Sequence, residues 1–143
     1  MTAFMRGYIA AWLWSTPLIS DDNGTAYADD CGYSVDDAGI TIRALAEYCE
    51  HAIQRIMGDS YHNLPDVSKH GQPDKSLLGY CCYMETSGHG VGLHDRDGFE
   101  QYAVPYRAAV GPHLTEDIGT YVHNGVIDTQ YNFGTIIGGN GNA

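Results

Sequence analysis

A regular spacing of apolar residues over residues 41–57 constrains the fold more than any other feature of this sequence. Apolar side chains recur there at intervals of three and four, while charged residues occupy the remaining positions. The stripe consists of Ile42, Leu45, Cys49, Ala52, Ile53 and Ile56. Thr41 is a suitable N-cap and Gly58 a suitable C-terminal stop. We therefore predict an amphipathic helix with Cys49 on its buried face.

A similar spacing over residues 2–14 predicts a first amphipathic helix, with Trp12 and Trp14 at its end. The following residues, 17–37, hold six aspartates and no basic residue, and an Asp-Asp-Asn-Gly turn signal lies among them. These aspartates are Asp21, Asp22, Asp29, Asp30, Asp36 and Asp37. We interpret the segment as an exposed acidic loop. Residues 59–74 are polar and predict a surface connection with at most one short helical turn.

Two β-hairpins are predicted in the second half of the chain. Residues 77–85 and 90–95 are interpreted as two strands joined by a Gly-containing loop, which places Cys81 and Cys82 on opposite faces. The second hairpin has Asn124-Gly125, the pair favoured in a type I′ turn, between two short apolar runs. Pro105 and Pro112 are expected to split any helix between the hairpins, leaving a short one over residues 114–118.

These elements predict the α+β class, with a small antiparallel sheet of two hairpins packed against two amphipathic helices. The length of 143 residues fits one domain. We assign residues 1–132 to that domain. Residues 133–143 are rich in Gly and Asn and are interpreted as a tail that is flexible or ordered by a partner.

The charge balance limits the partners of this chain. Eighteen acidic residues against seven basic ones give a formal net charge of -11. Nucleic acid and anionic membranes are disfavoured, because phosphate contacts depend on clustered Lys and Arg. No apolar run is long enough to cross a membrane, and no signal-peptide pattern begins the sequence. We therefore expect a cytosolic protein whose four cysteines are free thiols.

The chemistry-bearing stretch is residues 86–97, TSGHGVGLHDRD, which combines two His, two Asp and an Arg with three Gly. A catalytic interpretation uses His89 or His94 as general base, Asp95 to orient it and Arg96 to hold an anion. The structural interpretation is that the glycines supply a tight turn and His89 lies at its exposed tip. No nucleophile is fixed by spacing, so the sequence leaves enzymatic activity open and favours a non-catalytic role.

Metal and cofactor motifs fail on their spacing. Neither acidic loop matches the ligand pattern of an EF-hand, and no C-x-x-C or H-x-x-x-H pair indicates zinc. No helix is predicted after the glycines of residues 88–92, so they do not form a dinucleotide fingerprint. We predict no metal and no cofactor.

Four segments resemble a group of small acidic proteins encoded by tailed bacteriophages. They are residues 4–16 (FMRGYIAAWLWST), 21–24 (DDNG), 46–50 (AEYCE) and 88–96 (GHGVGLHDR). The resemblance covers about two thirds of the chain and implies a phage origin, without implying catalytic residues. Leu93 and His94 stand where the group has two aromatic residues, which leaves His89, Asp95 and Arg96 as the better site candidates.

The leading hypothesis is a phage accessory protein that acts in the host cytoplasm by binding a host protein with a basic surface. Asp21, Asp22, Asp29 and Asp30 would attract that surface, and Trp12 and Trp14 would anchor it. An alternative is a pocket for a nucleotide or small anion that uses His89 and Arg96, with Arg43, Arg55 or Arg107 as a supporting arginine. A structural component of the virion is a further alternative. The sequence leaves a homo-oligomer open.

Overall fold

The structure, a computed structural model, describes residues 1–87, 91–111 and 119–130. The α+β class predicted from the sequence is confirmed, with five helices and two antiparallel hairpins in these ranges. The helices are α1 (Ala3–Ser15), α2 (Ile40–Met57), α3 (Asp59–His62), α4 (Lys75–Ser87) and α5 (Ala103–Val110). The strands are β1 (Pro17–Asp21), β2 (Gly24–Tyr27), β3 (Thr120–His123) and β4 (Val126–Thr129). Short 3₁₀ turns lie at Val35–Asp37, Leu93–Asp95 and Glu100–Tyr102.

Helices α1 and α2 confirm the predictions from apolar spacing. Thr2 caps α1, since its side-chain oxygen accepts the backbone N–H of Met5 at 3.2 Å. Helix α2 ends at Gly58, whose φ of +60° suits glycine. Thr41 was the wrong N-cap, because α2 begins one residue earlier and Gly39 occupies the cap position.

A side chain from a distant strand caps α2 instead. The Asp128 carboxylate on β4 accepts the backbone N–H groups of Thr41 at 3.1 Å and Ile42 at 2.8 Å. Gly39 donates its own N–H to the Ile127 carbonyl at 2.8 Å, so the β3–β4 hairpin is joined directly to the start of the helix. A glycine is needed at this cap, because a Cβ on Gly39 would overlap the Asp128 carboxylate.

The predicted strand over residues 77–85 was wrong, because these residues lie in helix α4. The apolar spacing in this nine-residue segment fits both a strand and a helix. The helix buries Leu78, Cys81 and Cys82 together. Close packing against α1 favours the helix. A Cβ on Gly7 would overlap the Ser76 carbonyl oxygen, and one on Gly79 would overlap that of Phe4. The two helices therefore approach each other backbone to backbone at these glycines.

Because residues 77–85 are helical, the hairpin predicted over residues 77–95 was also wrong. Residues 88–90 lie outside the described ranges, and residues 93–95 form a 3₁₀ turn. Cys81 and Cys82 are neighbours on α4 and both are buried, rather than facing opposite sides of a strand. The four cysteines are free thiols, as expected, and Cys49 is buried on α2.

The predicted acidic loop is also more regular than expected. Residues 17–27 form the β1–β2 hairpin, in which Ser20 pairs with Thr25 and Asp21 with Gly24. The predicted β3–β4 hairpin is confirmed, with positive φ at Asn124 and Gly125 as a type I′ turn requires. The two hairpins form separate two-stranded sheets, so the single sheet predicted from the sequence was wrong.

Pro105 does not split a helix as predicted, because it lies in the first turn of α5, where its missing N–H leaves no intrahelical hydrogen bond unmade. The predicted helix over residues 114–118 and the tail at residues 133–143 lie outside the described residues. The surface connection over residues 59–74 contains the one short helical turn that the sequence allowed, α3. In the part of the chain that the structure describes, no helix combines the length and apolar character needed to cross a bilayer.

One hydrophobic core lies between α1, α2, α4 and α5. Its largest fully buried side chains include Phe4, Tyr8, Ile9, Ile42, Ile53, Leu78, Phe99 and Tyr106. A backbone hydrogen bond holds the end of α1 against the β1–β2 hairpin. The Ala28 N–H after β2 donates to the Thr16 carbonyl at 2.8 Å. The acidic hairpin is thus held at a defined position beside Trp14.

Candidate functional site

The residues considered as catalytic candidates do not form one cluster among the described residues. His89 lies outside the described ranges. Asp95 contacts His94, with its Oδ2 3.1 Å from the His94 Nε2. Arg96 lines a cavity with Tyr80, and its positive charge partly lowers the pKa of the Cys81 thiol. Asp95 and Arg96 therefore have different partners.

A different polar cluster surrounds Glu85, near the end of α4. Its Oε1 accepts the backbone N–H of His94 at 3.1 Å and lies 2.9 Å from the His94 Nδ1. Its Oε2 lies 3.2 Å from an Arg107 guanidinium nitrogen on α5, in ion-pair contact. The Glu85 side chain is 1% exposed, and a charge buried to this extent needs partners. His94 and Arg107 supply them. Sequence analysis missed Glu85, because the segment that carries it was interpreted as a strand. It considered Arg107 only as one of three arginines that could support Arg96, not as a partner of Glu85.

This cluster holds the turn at Leu93–Asp95 against α4 and α5. Both imidazole nitrogens of His94 face carboxylates, Glu85 at Nδ1 and Asp95 at Nε2. The hydrogen bond that His94 donates to the Glu85 carboxylate, and then the negative charge of Glu85, raise the pKa of His94 above its ordinary value of 6.5. Such a His is stabilised as imidazolium and has no free nitrogen to accept a proton. The arrangement joins parts of the fold and is poorly suited to general-base catalysis.

We predict that Glu85→Gln lowers the pKa of His94, measured by NMR titration of its imidazole nitrogens. Because folding raises this pKa, the stability that the Glu85–His94 pair contributes is fully present below about pH 6.5. It is lost as the pH rises through the higher pKa of the folded state. The stability difference between the wild type and Glu85→Gln should therefore shrink as the pH rises through that range.

Asp95→Asn is the matched control for this prediction. The charge of Asp95 raises the pKa of His94 less than Glu85 does, so the control should lower it by a smaller amount. A titration of His94 that is the same in wild type and Glu85→Gln would contradict the assigned pair.

Nucleophilic cysteine chemistry also finds no support in the core. Burial raises the pKa of Cys49 to about 11, and the neighbouring Tyr106 and Tyr8 hydroxyls lower it only in part. Burial likewise raises the pKa of Cys81 to about 11, although Arg96 lowers it in part. Both residues are therefore protonated thiols at neutral pH. Among the described residues, no group of three or more His, Cys, Asp and Glu side chains is placed to hold a metal ion.

Arg96 lines a cavity of about 550 Å³ together with Arg6. Two carboxylates oppose these two guanidinium groups. Asp36 lies 3.0 Å from the Arg6 guanidinium, and the buried Asp74 carboxylate also lines the cavity. The local charge is therefore close to balanced, within a chain of net charge -11. Arg6 is the supporting arginine that the sequence did not single out.

The predicted binding residues divide into a buried one and an exposed set. Trp12 is 5% exposed and packs in the core, so it is not the surface anchor that the sequence suggested. Trp14 is 49% exposed beside the β1–β2 hairpin. Asp21 and Asp22 lie at the exposed tip of that hairpin, and Asp29 and Asp30 lie in the exposed turn after β2.

A second cavity, of about 310 Å³, lies where the end of α1 meets the end of β2. It is lined by Trp14, Ser15, Tyr27, Asp29 and Asp30, and we call it the Trp14–Tyr27 pocket. It brings together three of the residues singled out from the sequence, Trp14, Asp29 and Asp30. Tyr27 was not singled out, because the strand that presents it was interpreted as a loop.

No family model, curated protein or solved structure matches this chain. The fold and the surface therefore define a small acidic α+β protein, and its function is inferred from its residues.

Proposed function

We propose that this chain is a phage-encoded acidic accessory protein that acts in the cytoplasm of the infected cell by binding a basic surface of a host protein. The observation that carries the proposal is the acidic β1–β2 hairpin with an exposed tryptophan at its base. The resemblance of four segments to small acidic phage proteins supports the phage origin.

The charge of this hairpin is available to a partner. Asp21, Asp22, Asp29 and Asp30 are exposed, and none of them pairs with a Lys or Arg among the residues that the structure describes. Asp36 is the contrasting case, since it forms an ion pair with Arg6. Uncompensated carboxylates on one side of a protein create a negative potential that speeds encounter with basic surfaces.

Exposed apolar side chains beside these carboxylates supply contact area. Trp14 is 49% exposed, Ile19 is 52% exposed and Tyr27 is 38% exposed, all on or next to the hairpin. Tryptophan and tyrosine are enriched among the residues that contribute most to binding at protein interfaces. The exposed carboxylates therefore favour encounter with a basic partner, and the exposed Trp14, Ile19 and Tyr27 side chains stabilise the complex once it has formed.

Capture from bacterial lysate tests this function. The immobilised chain should retain a basic protein at low salt, and less of it at moderate salt, because charge attraction is screened. The variant Asp21→Asn/Asp22→Asn should retain clearly less of the same protein. The control Glu47→Gln/Asp97→Asn removes two exposed carboxylates outside the hairpin and should retain most of it. Recovery of no basic protein, or equal loss in both variants, would count against the proposal.

The small-anion alternative stays a prediction with weaker support. Arg6 and Arg96 share a cavity, but Asp36 and Asp74 offset their charge. A nucleotide would also approach against the negative charge of the whole chain. Thermal stabilisation by a nucleotide panel would favour this alternative over docking. The virion alternative depends on residues 133–143, which lie outside the described ranges.

A further inference from the structure

The Trp14–Tyr27 pocket combines aromatic and acidic walls. Trp14 and Tyr27 supply an indole and a phenol that are both partly exposed, and Asp29 and Asp30 supply two carboxylates. A cation is attracted to the face of an aromatic ring, and it is attracted to carboxylates by charge. Both kinds of wall therefore favour a cationic guest.

The pocket is held by hydrogen bonds to the rest of the fold. Its Ser15 hydroxyl donates to the Tyr83 hydroxyl of α4 at 3.0 Å. On the other side, the Cys31 N–H donates to the Tyr27 carbonyl at 3.1 Å and closes the turn that carries Asp29 and Asp30. The backbone that carries the walls is thus fixed before any guest arrives, which lowers the entropic cost of binding.

Each carboxylate uses one oxygen within this turn. Asp30 Oδ2 accepts the Tyr27 N–H at 3.3 Å, and Asp29 Oδ1 accepts the Asp30 N–H at 2.8 Å. Within the described ranges, the second oxygen of each carboxylate receives no hydrogen bond, and neither residue has a cationic partner. Two acceptor oxygens and two negative charges therefore remain for a guest that brings both donors and a positive charge.

We infer that the Trp14–Tyr27 pocket receives one arginine side chain of the basic partner. This inference rests on the proposed function and names the side chain that the surface selects. A guanidinium group is planar, stacks on aromatic rings and donates several N–H groups in a fixed fork. A lysine ammonium is compact and strongly hydrated, so it gains less from an aromatic wall. The pocket thus favours arginine over lysine at equal charge.

The test compares two basic peptides, tetra-arginine and tetra-lysine, titrated into the full chain at low ionic strength by calorimetry. General attraction to the acidic hairpin should give both peptides measurable affinity. The pocket should make tetra-arginine bind about tenfold more tightly than tetra-lysine. Trp14→Ala should remove this preference and leave tetra-lysine binding nearly unchanged.

Two further variants separate the pocket from the rest of the acidic surface. Asp21→Asn/Asp22→Asn, at the far end of the hairpin, should lower the affinity of both peptides by the same factor. Asp29→Asn/Asp30→Asn should weaken tetra-arginine more than tetra-lysine. Tyr121→Ala removes a comparably exposed aromatic ring from β3 and should change neither affinity. Circular dichroism confirms that each variant is folded.

The outcomes distinguish the two proposals. Equal affinities for the two peptides, both weakened by Asp21→Asn/Asp22→Asn, would overturn the arginine pocket and support the acidic docking function. A preference for arginine that survives in Trp14→Ala would also overturn the pocket. If neither peptide binds, the docking function fails and the pocket inference fails with it.

Discussion

Replacing Asp128 with alanine is expected to lower the free energy of unfolding by about 3 kcal/mol. The residue is 3% exposed, and its carboxylate accepts three backbone N–H groups, those of Thr41, Ile42 and Thr129. The first two belong to the opening turn of α2, whose N–H groups have no carbonyl partner within the helix. Alanine leaves these donors unpaired and removes a negative charge from the helix N-terminus.

Urea denaturation followed by circular dichroism measures this loss. Asp128→Asn is the matched control, because it retains the shape and one oxygen acceptor while removing the charge. It should lose clearly less stability than Asp128→Ala. Equal stability of wild type and Asp128→Ala would show that the capping contact across the chain contributes nothing.

Gly79→Ala is the second large effect that we expect, with a loss of at least about 2 kcal/mol. Gly79 lies where α4 crosses α1, and an added methyl group would overlap the Phe4 carbonyl oxygen. Backbone atoms cannot rotate away as a flexible side chain can. The helices would have to separate, and the buried contact between them would loosen.

Gly111→Ala is the control for this substitution. Gly111 follows α5 in a helical conformation, and no described atom lies within 4 Å of the position of an added methyl group. Alanine there should leave the midpoint of urea denaturation unchanged or raise it slightly, since alanine reduces the entropy of the unfolded chain. A loss as large as that of Gly79→Ala would mean that overlap between helices is not the cause.

Long amphipathic elements and one turn could be predicted from the sequence. Helices α1 and α2 have several turns of consistent apolar spacing, and Asn124-Gly125 has few conformations other than a tight hairpin turn. The α+β class followed from these elements alone. Their signals are local, so they do not depend on which distant segments pack together.

Helix α4 could not be predicted because its identity depends on a tertiary contact. Its nine central residues fit a strand or a helix, and the decision lies with Gly79, which permits close packing on α1. The wrong strand assignment also hid the role of Glu85 and its ion pair with Arg107 from the sequence analysis. A charged residue at the end of an apolar segment gives no sign that it is 1% exposed in the fold.

The exposed acidic surface was predicted in part. The exposed aspartates were recognised from their number and from the absence of basic residues near them. The two tryptophans could not be separated, because positions two apart on a helix face different directions and the sequence does not say which direction meets the core. The structure buries Trp12 and leaves Trp14 beside Tyr27, so the pocket emerges only when α1 and β2 are brought together.

The cap on α2 also leads us to expect an order of folding events during synthesis. Ile42 and the carboxylate that caps it are 86 residues apart, so a ribosome releases the start of the helix long before its cap. In a nascent chain that ends before residue 128, the backbone N–H groups of the first turn of α2 lack their capping carboxylate. We therefore expect the native domain to close late, when the β3–β4 hairpin has left the exit tunnel and can contact the start of α2.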